Sequence, residues 1–209
     1  MKVIEVKSVV FPEVRIIRFA RFSDERGFFS EVYRKSDFQK NDELHFLRDT
    51  EIIQANISFS IKNVIRGLHF QWNPEMGKLV RTIQGRMIDL FLDIRIDSPT
   101  FGKIGAYELG SHVEELENQW IWIPSGFAHG VVFLEDTMLE YFCSAEYNAP
   151  GETTISLLAK DIDWSLCDKN LKVQVDSIIQ QGPIMSEKDR NGLSVAEWKN
   201  NPASRNVTS

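Results

Sequence analysis

The chain has 209 residues, 43% of them hydrophobic and 26% charged, with fourteen Phe and five Trp, which is enough for one sizeable core and short for two. Its net charge of -6 argues against a general nucleic-acid or acidic-membrane surface, while leaving room for a local basic pocket built from Arg66, Lys78 and Arg81. No apolar run reaches bilayer length, M-K-V-I-E-V-K lacks the apolar stretch of a secretory signal, and Cys143 and Cys167 mark neither a disulfide framework nor a four-ligand zinc site, so a cytoplasmic protein is expected.

Residues 3 to 22 alternate loosely between apolar and polar side chains and predict two strands broken near Pro12. In S-D-E-R-G-F-F-S-E-V-Y, residues 23 to 33, Gly27 predicts a turn, followed by a short strand with Phe28, Phe29, Glu31 and Tyr33. Residues 36 to 48 predict a short helix capped by Ser36, with Phe38 and Leu44 on its buried side. Q-A-N-I-S-F-S, residues 54 to 60, has the period of a strand, so Gln54, Asn56, Ser58 and Ser60 share a face. That face meets either water or a ligand.

V-I-R-G-L-H-F-Q-W-N-P-E-M-G-K-L-V-R, residues 64 to 81, predicts a strand, a loop and a strand, with Arg66, His69, Gln71 and Lys78 set among apolar residues. Strict alternation puts Val64, Arg66 and Leu68 on one face and Ile65, Gly67 and His69 on the other. An edge strand with solvated charges is the plainer alternative. Four polar groups bracketed by L-H-F and K-L-V favour a strand that lines a polar pocket inside a barrel.

T-I-Q-G-R-M-I-D-L-F-L-D-I-R predicts a strand pair bent at Gly85, D-S-P-T-F-G a turn, and I-G-A-Y-E-L-G a strand. Pro124 and Gly126 punctuate two more apolar runs and present His129 before the second, and residues 137 to 147 predict another strand. From Ser186 the pattern changes to a loop and a short helix, with Ser194 as N-cap, Trp198 packed, and a frayed end. Many short strands with Gly and Pro at their junctions, and little helix signal before residue 190, predict an all-β jelly-roll with a few short peripheral helices. One domain is expected over 1–209, with its core at about 3–193 and a tail at 194–209.

The motifs narrow the chemistry. A metal-binding cupin needs H-x-H and a nearby Glu, whereas His69-Phe70-Gln71 lacks the second ligand and leaves only His129. There is no G-x-S-x-G elbow for a nucleophilic hydrolase and no Walker loop for phosphoryl transfer. Proton transfer by an imidazole, a lysine and tyrosines, with no cofactor and no metal, is what remains.

R-G-L-H-F-Q, K-L-V, D-I-R-I-D-S-P-T-F-G, I-P-S-G-F-A-H-G and the late S-E-K-D resemble the signature segments of the dTDP-4-dehydrorhamnose 3,5-epimerase family. D-E-R-G-F-F-S-E-V-Y and Q-A-N-I-S-F-S are similar to two further segments, so the resemblance runs from about residue 3 to 193. It implies a cupin-type jelly-roll, a homodimer with an N-terminal strand exchanged between subunits, and a nucleotide-linked 4-keto-6-deoxy sugar as substrate. The ketone at C4 acidifies the hydrogens on C3 and C5, because the resulting carbanion is delocalised as an enolate. Such an enzyme needs a base, an acid on the opposite face and positive charge near the oxygen.

Carried over by motif, the base is His69, and an imidazole titrating near pH about 6.5 suits the task. Asp189 is the carboxylate that orients it, Lys78 the cation for the enolate oxygen, and Tyr141 the acid. Aligning on Y-F-C-S selects Tyr141 for that last place, whereas counting back from Pro150 selects Phe142. Arg26 and Glu31 match base-reading positions, with Phe28 as a cover for the nucleotide base; Gln54, Asn56 and Arg66 match diphosphate and sugar contacts, and His129, Glu152 and Lys188 further ones. Glu31 and Glu152 as surface charges, and Phe28 as core, are the plain alternatives. The segment 157–183 is expected as an insertion relative to the family. A single-carbon epimerase of a CDP- or GDP-linked sugar, or a sugar-binding protein without catalysis, is the alternative function.

Overall fold

In a computed structural model, residues 1–111 and 117–207 are described. Twelve strands are formed among them: β1 (Val3–Ser8), β2 (Arg15–Ala20), β3 (Phe22–Asp24), β4 (Gly27–Phe29), β5 (Gln54–Ser60), β6 (Ile65–Gln71), β7 (Lys78–Asp93), β8 (Ile104–Ser111), β9 (Glu117–Ile123), β10 (Phe127–Phe133), β11 (Thr137–Cys143) and β12 (Glu152–Thr154). The helices are α1 (Lys35–Lys40), α2 (Lys169–Gln180), α3 (Glu187–Arg190) and α4 (Val195–Asn200).

The long strand β7 joins the two walls of the barrel. Its first half pairs with β9 and β11, and its second with β8 and β10, all antiparallel. One wall therefore runs β1-β2-β9-β7-β11-β5, and the other β8-β7-β10-β6-β12. The expected strand pair about Gly85 is instead one continuous strand that changes sheet there. Gly85 has φ +94, and a Cβ would lie 2.5 Å from the Asp136 carbonyl oxygen, so the crossing needs glycine.

The period of two sorts the side chains into layers. Ile16, Val80, Met87, Phe91, Ile121, Val131 and Leu139 pack between the walls. Ile17, Phe19, Leu79, Trp120 and Phe142 form the outer layer of the first wall, covered by Phe38, Leu44 and Leu47. Ile65, Leu68, Phe70, Ile88, Leu90 and Leu92 form the outer layer of the second, covered by Val175 and Ile178 of α2 and Trp198 of α4.

Three local expectations are corrected. Phe38 and Leu44 are buried as expected, but the helix over 36 to 48 is broken at Asn41, with a 3-10 turn at Asp42–Leu47, and Ser36 lies inside α1 without capping it. Helix α2 precedes residue 190, and Asp168 caps it by accepting from the Asn170 and Leu171 amides; Leu171, Val175 and Ile178 were the missed helical pattern. The tail does not fray at Pro202–Asn206, which forms a 3-10 turn capped by Asn201, and Val207 is buried against the core. Ser194 caps α4 in a capping box, and the indole of the buried Trp198 donates to the Ile94 carbonyl.

Candidate active site

Residues of β6 and β10 stand in register at His69 and His129, and again at Arg66 and Val131. Three steps on β6 thus match two on β10, a bulge that absorbs one residue. Gly67 sits in it with φ +99, and a Cβ there would lie 2.5 Å from the His129 carbonyl oxygen. Strict alternation separates Arg66 from His69; the bulge cancels that parity, and both side chains line one cavity.

The cavity has two lobes of ≈ 170 Å³ and ≈ 160 Å³, both lined by His69, Lys78 and Tyr141. Gln54, Asn56, Gln71, Cys143, Tyr147 and Glu152 also line the first lobe. Ser58, Arg66, His129, Val131 and Leu139 also line the second. The polar face of β5 therefore meets the cavity. Its amides are tied together: Gln54 Nε2 donates to Asn56 Oδ1 at 3.0 Å, and Asn56 Nδ2 to Cys143 Sγ at 3.7 Å.

His69 Nε2 is 2.5 Å from Asp189 Oδ1. Asp189 is carried by α3, one turn of helix capped by Ser186, whose hydroxyl accepts from the Asp189 amide and donates to Asp189 Oδ2 at 2.8 Å. Burial pushes the Asp189 carboxyl up, but the bond from His69, its charge, Ser186 and the Gly67 amide outweigh burial and hold it below the ordinary carboxylate range. It is thus an anion aimed at the inner nitrogen of the ring, leaving the other nitrogen for the cavity.

Lys78 and Tyr141 come from the facing wall. The half-buried Lys78 donates to the His69 carbonyl at 3.4 Å, a long bond that leaves its ammonium free to approach a ligand oxygen. Burial lowers its pKa, against the pull of Cys143, Glu152 and Asp89. Burial raises the Tyr141 hydroxyl, with Cys143 adding to the rise and Arg66 opposing it, so the phenol stays protonated at neutral pH. Alternation along β11 decides between the two aromatic candidates: Leu139 and Tyr141 point inward, while Phe142 packs on Trp120 and Tyr33 in the outer layer.

The remaining candidates divide. Arg66 Nε donates to Ser60 Oγ at 2.9 Å, and His129 Nε2 lies 2.9 Å from Asp89 Oδ2. Glu152 lines the first lobe and is ion-paired with the exposed Lys188. Arg26, Phe28 and Glu31 do not line this cavity. Arg26 is paired with Asp24 on the exposed β3–β4 hairpin, Phe28 lies under the Arg21 guanidinium at 4.5 Å, and Glu31 pairs with Arg34 and the N-terminal ammonium. Arg81, expected in a basic pocket, instead faces outward, paired with Glu140 at 2.7 Å over the Trp120 ring. Gln71 is spent on two loops: its amide donates to the carbonyls of Pro74 in the β6–β7 loop and Glu146 beyond β11, and its oxygen accepts from the Asn148 amide.

Sequence reasoning missed Asp89, Cys143 and Tyr147 as site residues. Asp89 was visible as a lone acid in the apolar run M-I-D-L-F-L, and the other two follow Tyr141 at positions 143 and 147. Among the described residues no three His, Cys, Asp or Glu side chains converge as a metal site, and both cysteines are free and buried.

A sequence model of the dTDP-4-dehydrorhamnose 3,5-epimerase family matches residues 8–197. The chain belongs to this family. It is 37% identical over 183 residues to a dTDP-4-dehydrorhamnose 3,5-epimerase of Shigella flexneri, covering 87% of this chain and 90% of the relative. A Pseudomonas aeruginosa enzyme of the same name is 33% identical over 189 residues, covering 90% and 94%. Among solved structures, a dTDP-6-deoxy-D-glucose-3,5-epimerase from Legionella pneumophila Philadelphia 1, in complex with dTDP-4-keto-L-rhamnose, superposes with a TM-score of 0.77 at 28% identity over 98% of this chain and 97% of that one. The cupin-type jelly-roll and the assignment as an isomerase acting on carbohydrates follow from these relationships.

Proposed function

We propose that this family member epimerises a dTDP-linked 4-keto-6-deoxy sugar at C3 and C5 by proton transfer through an enolate, without a cofactor. The observation that carries the reading is the His69–Asp189 pair, at 2.5 Å, facing Tyr141 and Lys78 across one cavity. His69 removes the proton beside the ketone, and Asp189 stabilises the imidazolium that forms. The Lys78 ammonium neutralises charge growing on the enolate oxygen, where partial desolvation strengthens the attraction. The phenol of Tyr141 returns a proton from the opposite side, which inverts the centre. Arg66 and His129 in the second lobe, with Gln54 and Asn56 in the first, supply donors for the diphosphate and sugar.

A homodimer belongs to the same proposal, supported by exposed apolar surface. Ile57 and Phe59 of β5 and the flanking Ile53 and Ile61 are exposed, β5 pairs only with β11 among the described residues, and Phe22, Phe28 and Phe29 are exposed on the hairpin. Exchange of the N-terminal segment would bring Arg26, Phe28 and Glu31 to a partner's cavity. The single-domain reading over 1–209 and action in a reducing, cytoplasmic compartment, which the two free thiols suit, complete it.

The test is hydrogen exchange. With dTDP-4-keto-6-deoxyglucose in deuterated water, deuterium is expected at C3 and C5, and His69→Ala should abolish it while nucleotide binding persists. Label at one carbon only points to a single-site epimerase. No label at either carbon, across thymidine, cytidine and guanosine forms, sinks the enzyme reading.

A further inference from the structure

Asp189 lies 120 residues along the chain from His69 and is carried by a single turn of helix, too short to hold itself in place. Its backbone is fastened from both sides. Ahead of α3, Ile184 pairs with Val64, and its carbonyl accepts from the Ile65 amide at 3.0 Å; behind it, Leu193 pairs with Ile155, and its carbonyl accepts from the Ser156 amide at 2.9 Å. The Ser156 hydroxyl also donates to the Arg190 carbonyl at 3.0 Å, and Lys188 is ion-paired with Glu152 of β12. These contacts place the main chain. They leave the direction of the carboxylate to its side-chain torsions.

What turns it toward His69 is a variant of a motif that the chain uses twice. Ser186-Glu187-Lys188-Asp189 and Ser194-Val195-Ala196-Glu197 both have the serine, and the acid three residues on, of a capping box. In α4 the box closes: Ser194 Oγ accepts from the Glu197 amide at 3.1 Å, and Glu197 Oε2 accepts from the Ser194 amide at 2.7 Å. In α3 only the first half is made, with Ser186 Oγ accepting from the Asp189 amide at 3.1 Å. The carboxylate, one methylene shorter, instead accepts from the Ser186 hydroxyl on Oδ2 at 2.8 Å and presents Oδ1 to His69 Nε2 at 2.5 Å. The Gly67 amide is its one further donor among the described residues, and Asp189 is only 4% exposed.

We infer that Ser186 is a positioning residue for proton transfer: its hydroxyl holds Oδ2, so that Oδ1 is aimed at the imidazole. The inference rests on the reading of His69 as the base. Ser186 lines neither lobe of the cavity, so it acts on the substrate only through Asp189. A hydroxyl donating to a carboxylate makes a charge-assisted bond, stronger than one between neutral groups. The Gly67 amide remains when that bond is lost, so the loss of aim is partial.

The test compares Ser186→Thr, Ser186→Ala and Ser186→Gly in the full-length protein, by C3 and C5 exchange and by urea melts. Threonine keeps both donor and acceptor, so kcat should stay within about threefold of wild type. Alanine and glycine remove the hydroxyl, and each should lower kcat roughly tenfold with KM nearly unchanged. Glycine is nearly as good as serine at an N-cap, so the urea midpoint of Ser186→Gly should stay near wild type while its exchange falls. That split separates aiming from capping. Wild-type kcat in Ser186→Ala and Ser186→Gly, or a loss that only tracks the unfolded fraction, overturns the inference. A second readout needs no activity: the ring N–H that His69 donates to Asp189 should give a low-field proton NMR signal, identified by its absence in His69→Ala. The signal should persist in Ser186→Thr and broaden or vanish in Ser186→Ala. A signal missing from the wild type, or unchanged in Ser186→Ala, overturns the inference. Absence of exchange in the wild type sinks the enolate reading, and the ring-proton signal then decides the role of Ser186 independently of it.

Discussion

Replacing Asp189 by Asn tests the pair on which the proposed chemistry depends. The side chain keeps its shape, its oxygen can still accept from Ser186, and only the charge facing His69 is lost. An imidazolium and a carboxylate with centres about 4 Å apart attract by about 4 kcal/mol at an effective dielectric near 20. The His69 side chain is 33% exposed, so water screens part of this and leaves about 2 to 3 kcal/mol. That energy is felt only when the ring has taken the substrate proton, so it belongs to the transition state. At 1.4 kcal/mol per decade it predicts a fall in kcat of roughly 30- to 150-fold. KM should stay within about threefold, because Asp189 lines neither lobe of the cavity. The assay is the initial rate of deuterium incorporation at C3 and C5, followed by proton NMR at saturating substrate. A kcat within about threefold of wild type, or a loss confined to KM, would refute the reasoning.

Tyr141→Phe and Phe142→Leu should separate the two aromatic positions: the first loses epimerised product roughly 100-fold or more while His69 still exchanges hydrogen, and the second lowers stability by about 1 to 3 kcal/mol in urea melts with exchange retained in the folded fraction. Gly67→Ala puts a Cβ 2.5 Å from the His129 carbonyl oxygen at φ +99, so a loss of at least about 2 kcal/mol and a disproportionate loss of exchange are expected; wild-type stability and rate would disprove the bulge argument. Asp93 is fully buried and accepts from Arg95, Ser98 and Thr100, so Asp93→Asn should cost roughly 3 to 5 kcal/mol. Burial raises the Asp93 carboxyl, but the bonds from Arg95, Ser98 and Thr100 dominate and hold it down. Its stabilisation is therefore present above pH about 4 and lost as pH falls through the lowered folded-state value. The drop in stability on acidification should be shallower in Asp93→Asn, and an equal slope would exclude this carboxylate as a source of acid lability.

Much of the architecture was legible because period-two alternation and glycine-proline punctuation are local properties. They carried the all-β class, the strand that holds His69, the grouping of Gln54, Asn56 and Ser58 on one face of β5, and the cap and packed face of α4, while only the barrel turned that β5 face to the cavity. Family-like motifs pointed to His69, Lys78, Tyr141 and Asp189. What stayed hidden depends on steps that change parity or join distant segments. The bulge at Gly67 turns Arg66 and His69 to the same side, against strict alternation. The crossing at Gly85 makes one strand serve both walls, carrying Lys78 in its first half and Asp89 in its second. Alternation from a known inward residue was needed to choose Tyr141 over Phe142, since counting along the chain allowed either. The chain by itself determined which groups were available for proton transfer. Only the folded barrel decided which of them share a dielectric environment, because charge pairing depends on distance across the interior and not on separation along the chain.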